Sequence, residues 1–144
     1  MRVFLDANVL VATLNKEYPV FTYSSRVLSL SASPQYDLYT SSLGLAICYY
    51  FSAKKSGEKA ARKKIGILKD NIKLAVISEN AVNQALSNPK IIDLEDGFQY
   101  YAAKAAGCTC IVTEDLSDYF FAEIEVLDSK SFLECYVFDR KKKN

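Results

Sequence analysis

Short apolar runs alternate along this chain with longer amphipathic stretches, the pattern of strands followed by helices. Val3-Phe4-Leu5 is a run stopped at once by Asp6, and it predicts a strand covered on both faces. Asn8 to Leu14 continues as a short helix, with Asp6 or Asn8 as its N-cap. Tyr18-Pro19 opens a second predicted helix reaching about Leu30, Ser33-Pro34 breaks it, and Tyr36 to Tyr39 is a second strand. Ser42 to Ala53 is apolar on nearly every face, which predicts a buried helix. After Ser56-Gly57, Glu58 to Lys69 continues as a basic helix, so the two form a helical hairpin. Leu74 to Ile77 is a third predicted strand, and Glu79 to Leu86 a helix closed by Asn88-Pro89.

The clearest periodicity begins at Leu94 and recurs at Phe98, Tyr101, Ala102 and Ala105. Asp93 is its natural N-cap and Gly107 the residue that ends it. Cys110 to Val112 and Ile124 to Leu127 are the last strands, and Ser129 to Tyr136 the last helix. The alternation predicts an α/β fold, a three-layer α/β/α sandwich around a mostly parallel central sheet. No repeat or Pro/Gly-rich linker divides it. Residues 1–138 read as one domain, and 139–144 as a basic, disordered tail.

Composition narrows the chemistry. The chain has 144 residues, 50% of them hydrophobic, ordinary for a single globular domain. Eighteen basic and 17 acidic residues leave a formal charge of +1, so recognition of a charged partner must be local. There is no histidine. Ser-His-Asp and Cys-His catalysis and His-ligated metals are therefore excluded. Cys48, Cys108, Cys110 and Cys135 form no C-x-x-C pair and read as buried, reduced thiols, with Cys108 and Cys110 on one face if both lie in a strand. No apolar run reaches the roughly 18 residues of a membrane span, and the acid at position 6 is unlike a signal peptide, so a cytoplasmic protein without membrane contact is expected.

The acids carry the chemistry that remains. Asp6 follows the first strand, and Asp115 follows the Cys110–Val112 strand after two residues, so both fall at the carboxyl edge where open parallel sheets bind ligands. Asp96 sits in the first turn of the helix feeding that second strand, and Asp118 lies in the loop after Asp115. Each also has a structural explanation. Asp6 caps a helix, Asp96 has capping-box spacing from Asp93, and Asp115 and Asp118 suit a turn. Together, such acids are kept by raised pKa values or by a hard divalent cation, for which oxygen-only ligation suits Mg²⁺ or Mn²⁺.

Phe4-Leu5-Asp6-Ala7-Asn8-Val9-Leu10 resembles the opening of PIN domains, the nuclease fold of VapC-type toxins and many RNA-processing enzymes. Asp93-Leu94-Glu95-Asp96-Gly97-Phe98-Gln99-Tyr100, then alanines and Gly107, is similar to their helix bearing the third acid. Ile111-Val112-Thr113-Glu114-Asp115-Leu116-Ser117-Asp118-Tyr119 resembles their fourth-acid loop. The resemblance spans essentially the whole chain. It implies a Mg²⁺- or Mn²⁺-dependent ribonuclease, with Asp6, Asp96 and Asp115 as catalytic metal ligands and Asp118 as a further one. Asn8, Thr113 and Ser41 or Ser42 would orient these carboxylates through hydrogen bonds. RNA is the implied substrate, with an antitoxin protein and a second copy of the chain as protein partners. One position departs from the family: Ile47 falls where the helix after the second strand commonly carries a Glu, and an aliphatic side chain coordinates nothing.

Lys54, Lys55, Lys59, Arg62, Lys63, Lys64 and Lys69 gather on the helical hairpin against only Glu58 and Asp70. Such an arm suits an RNA backbone, with Lys54, Lys55, Arg62 and Lys63 touching its phosphates, although a solvated helix face is the commoner reason for such a run. Tyr49, Tyr50 and Phe51 read as core residues more than as base-stacking ones. Two other acid-bearing folds fail. A haloacid-dehalogenase-like phosphohydrolase needs a second Asp where Asn8 stands, and a receiver domain needs adjacent acids before its first helix. The remaining rival is a PIN-type protein that no longer cleaves and serves as an RNA-binding or protein-interaction module.

Overall fold

The computed structural model describes residues 1–139; of the tail expected at 139–144, Asp139 is still helical, and 140–144 lie outside the described residues. Five parallel strands form one sheet in the order β3-β2-β1-β4-β5: β1 (Arg2–Leu5), β2 (Asp37–Thr40), β3 (Lys73–Leu74), β4 (Cys110–Val112) and β5 (Glu125–Leu127). The helices are α1 (Ala7–Leu14), α2 (Phe21–Ser29), α3 (Ser42–Ser56), α4 (Glu58–Asn71), α5 (Glu79–Ser87), α6 (Leu94–Ala105) and α7 (Ser129–Phe132), the last running on into a π-helical turn over Leu133–Phe138.

Side-chain alternation along the central strands makes the three layers. Val3, Leu5, Cys110 and Val112 face one core with Val9, Leu10, Val27, Cys48, Leu68 and Phe132. Phe4 and Ile111 face the other with Tyr100, Ala103, Tyr119 and Phe121. Both faces are covered, so the runs Val3–Leu5 and Cys110–Val112 carry no charged residue. The chain builds outward from β1 to β3, then returns to place β4 on the other side of β1. That reversal lies between the carboxyl ends of β1 and β4, where crossing connections leave opposite faces and a crevice opens.

Several predicted elements change. The second helix begins at Phe21, two residues beyond Pro19, which is itself outside it. The third strand pairs only over Lys73–Leu74, with one further bond from the Ala75 N–H to the Thr40 carbonyl; Val76 is 73% exposed. An edge strand needs burial on one side only, and this one turns outward early. The Ser42–Ala53 helix is buried along just one stripe, Gly44, Cys48 and Ser52, while Tyr50 and Phe51 face outward, because α4 and α1 cover part of its circumference. Cys108 lies before β4 and packs in the second core, whereas Cys110 packs in the first, so the two share no face. Cys135 is exposed and the other three cysteines are buried.

Candidate active site

A cleft of about 390 Å³ opens at the carboxyl end of β1, lined by Asp6, Asn8, Val11, Glu17, Ile47, Phe51, Glu95, Asp96 and Gln99 among others. Asp6 is placed by two local demands. Its backbone continues the sheet, donating to the Val112 carbonyl at 3.0 Å, and its side chain caps α1 by accepting from the Ala7 N–H at 2.8 Å. Only 5% of it is exposed. Thr113 donates to Oδ2 at 2.9 Å, with longer contacts from Gln99 Nε2 to Oδ1 at 3.4 Å and from Asn8 Nδ2 to Oδ2 at 3.5 Å. Burial raises the Asp6 pKa above the ordinary range, against the lowering effect of the Thr113 and Ala7 hydrogen bonds.

Asn8 and Thr113 hydrogen-bond to each other and to the start of the loop after β4. The Asn8 amide donates to Thr113 Oγ1 at 3.1 Å and accepts from the Glu114 N–H at 3.1 Å, while Thr113 Oγ1 also accepts from the Asp115 N–H at 3.1 Å. Ser41 takes a different place. Buried at the N-cap of α3, it accepts from the Gly44 N–H and donates to Gln99 Oε1 at 3.0 Å, so it reaches Asp6 through the glutamine. A Cβ on Gly44 would stand 2.6 Å from Thr40 Oγ1, so glycine permits this close approach of α3.

Asp96 completes the inner group. It is 8% exposed, and its Oδ2 is buried without a hydrogen-bond partner. Its capping-box role is absent: Asp93 caps α6 by accepting from the Glu95 N–H. Burial first, then the charges of Asp6, Asp93, Asp118 and Glu95, push its pKa up to about 7. The buried face of α6 is consequently rotated from the one predicted, comprising Asp96, Gly97, Gln99, Tyr100, Ala102 and Ala103 and leaving Leu94 outside. Two polar residues occupy a core-facing stripe because the stripe ends at the cleft.

Asp115 and Asp118 stand in the exposed loop after β4, outside the cleft lining. Asp115 accepts from the Ser117 hydroxyl at 2.8 Å, a turn contact. Partial burial and the neighbouring charges of Asp115, Asp6 and Asp93 raise the Asp118 pKa. Among the described residues, no three acids or thiols stand close enough together to grip one ion as placed. The donor chemistry still suits a hard divalent cation: all oxygen, mutually repelling, and with one orphaned buried carboxylate atom at Asp96.

Ile47 lines the cleft beside these acids, in the position the sequence pattern gives it. The sequence reading missed Gln99, Glu17, Glu95 and Tyr119. Gln99 had a signal, a polar residue one turn after Asp96. Tyr119 is buried near Asp6 with its hydroxyl unpartnered, and burial raises its pKa strongly. Of the predicted RNA-binding residues, Lys54 lies over the Tyr50 ring, and Arg62 and Lys63 line an open hollow with Tyr49, Glu58 and Lys59. Lys55 is committed elsewhere, donating to the Asn15 carbonyl.

The sequence pattern of the PIN domain family matches residues 2–117. Ribonuclease VapC1 of Aquifex aeolicus (strain VF5) is 29% identical over 140 residues, covering 92% of this chain and 94% of the relative. The crystal structure of Mycobacterium tuberculosis VapC20, a Sarcin-Ricin loop cleaving toxin, superposes with a TM-score of 0.65 at 17% identity, over 85% of this chain and 98% of that one. VapBC2 from Rickettsia felis, bound to a DNA fragment from its promoter, gives 0.65 at 18% identity, over 89% and 98%. At such identities the two structures speak for the fold. The match over residues 2–117 covers most of the chain, which belongs to the PIN domain family.

Proposed function

We propose that this protein is a PIN-type endoribonuclease that hydrolyses RNA phosphodiester bonds with Mg²⁺ or Mn²⁺, in the cytoplasm and as the toxin of a toxin–antitoxin pair. The observation that carries the reading is the buried Asp96 carboxylate, one oxygen unpartnered, in the same cleft as Asp6. Support also comes from the relative named Ribonuclease VapC1 and from the similar VapBC2 structure. Asp6 and Asp96 would hold the cation, with Asp115 and Asp118 of the loop as further candidate ligands, and Thr113, Asn8 and Gln99 fix the Asp6 carboxylate. When bound, the cation lowers the pKa of a water and stabilises charge on the phosphoryl oxygens. Lys54, Arg62 and Lys63 draw the RNA backbone toward the edge.

The presence of Ile47 in the cleft supports a weakened site, so the expected behaviour is loose, Mn²⁺-preferring binding and slow cleavage. The test is cleavage of a single-stranded RNA with Mn²⁺ by the wild type and by Asp6→Asn. Slow cleavage abolished by EDTA and by Asp6→Asn supports the enzyme. If neither the wild type nor Ile47→Glu cleaves while both retain RNA affinity, the protein is a binding module.

A further inference from the structure

Resting on the metal reading above, we propose that Glu17 supplies the carboxylate that α3 lacks. The cleft has two unlike sides. Asp6 at the end of β1, with Asp96 and Glu95 of α6, makes one side acidic, whereas Ile47 and Phe51 of α3 make the other apolar. The loop between α1 and α2 enters on the apolar side. Buried Asn15 donates through Nδ2 to the Phe51 carbonyl at 3.4 Å, and Lys55 donates to the Asn15 carbonyl. Thus α3 holds the loop at two points. Lys16, in the left-handed region at φ 51, turns the chain, and Glu17 then lines the same cleft as Ile47.

The Glu17 backbone is fixed, while among the described residues no hydrogen bond holds its carboxyl. Its N–H donates to the Ala12 carbonyl at 2.9 Å, and its carbonyl accepts from the Phe21 N–H at 2.7 Å. The residue is exposed, and among the described residues its carboxyl enters none of the ion pairs, which join Lys73 to Asp37 and Lys104 to Glu123. In the same cleft, the unpartnered Asp96 Oδ2 is an independent sign that a cationic ligand is taken there. A Mg²⁺-class ion keeps several waters and few direct carboxylates, so a long, exposed glutamate need reach only its water shell. Glu95 adds charge to the side already acidic; among the described residues that line the cleft, Glu17 alone brings it to the α3 side.

The test is calorimetric titration with Mn²⁺ alone on the full chain, for wild type, Glu17→Gln, Glu95→Gln, Asp96→Asn and the double variant Glu17→Gln with Ile47→Glu. Glu17→Gln is expected to weaken Mn²⁺ binding about tenfold while leaving the melting temperature in EDTA unchanged. Adding Ile47→Glu recovers most of that affinity, because the charge returns to the same side of the cleft. An unchanged Mn²⁺ affinity in Glu17→Gln, with Asp96→Asn abolishing binding, overturns the role of Glu17 and leaves the metal site standing. A larger drop in Glu95→Gln than in Glu17→Gln also overturns it, in favour of α6. A wild type that takes up no Mn²⁺ overturns both this inference and the metal reading.

Discussion

In buffer freed of divalent cations, Asp96→Asn is expected to stabilise the protein at pH 8 and to change little near pH 4. Burial and the surrounding acids move this carboxyl from its ordinary 3.8 to about 7 in the folded chain. The native state then holds the proton more tightly than the unfolded state does. Stability is therefore fully present below about pH 4 and is lost as pH rises through the folded value. The whole interval is worth about 4 kcal/mol. Asp6 and Asp118 are raised as well and share the repulsion, so a single substitution recovers about 2 kcal/mol. For a domain of this size that is about 6 °C in melting temperature. Thermal unfolding followed by circular dichroism at pH 4, 6 and 8 in EDTA measures it. Saturating Mn²⁺ should reverse the order, stabilising the wild type and leaving the variant behind. The reasoning fails if Asp96→Asn melts at or below the wild type at pH 8, or if the offset is the same at both ends of the range.

Gly44→Ala is expected to cost about 1–3 kcal/mol in a urea melt, because its Cβ meets Thr40 Oγ1, which is itself bonded to the Leu5 carbonyl; an unchanged midpoint means that α3 can shift. Thr113→Val removes the donor to Asp6 and the acceptor for the Asp115 N–H, a destabilisation of about 2 kcal/mol by the same measurement. Replacing Lys54, Arg62 and Lys63 with Gln should flatten the salt dependence of RNA binding by about one in log–log slope for each phosphate no longer neutralised; an unaltered slope makes the hairpin a solvated face. A thiol reagent should label Cys135 in the native protein and reach Cys48, Cys108 and Cys110 only on unfolding, with one equivalent counted before denaturant and four after.

The fold was legible wherever burial is two-sided. Val3-Phe4-Leu5 and Cys110-Ile111-Val112 are uninterrupted because helices cover both faces, and the acids that follow each run mark the edge where cover stops. The third strand was overextended because Leu74 to Ile77 is apolar although Val76 is exposed. Apolar character predicts burial, and an edge can decline it. On α6 the apolar series named the wrong stripe, since Asp96 and Gln99 are buried by the site while Leu94 is left to solvent. The inner acids, Asn8, Thr113 and the cleft position of Ile47 were all readable from local motifs. Glu17 was not, because its place depends on Asn15 and Lys55 tying a loop to α3, through bonds between residues some three dozen positions apart or more.

The bond from Thr113 to Asp6 spans 107 positions, and the one from Gln99 to Asp6 spans 93. The central strand waits as long for its second neighbour, because Val3, already paired with Leu38, pairs on its other side with Cys110. During synthesis, then, the first acid emerges almost at once with Ala7 and Asn8, while Gln99 and Thr113, which also hold it, are made in the last third of the chain. A product truncated before residue 93 carries Asp6 but neither Asp96 nor Gln99. Its sheet also lacks β4, the partner on one whole side of β1. Such long-range closure makes folding slow relative to local helix formation. A chain that ends before β4 therefore holds Asp6 at an edge whose other wall has not been made.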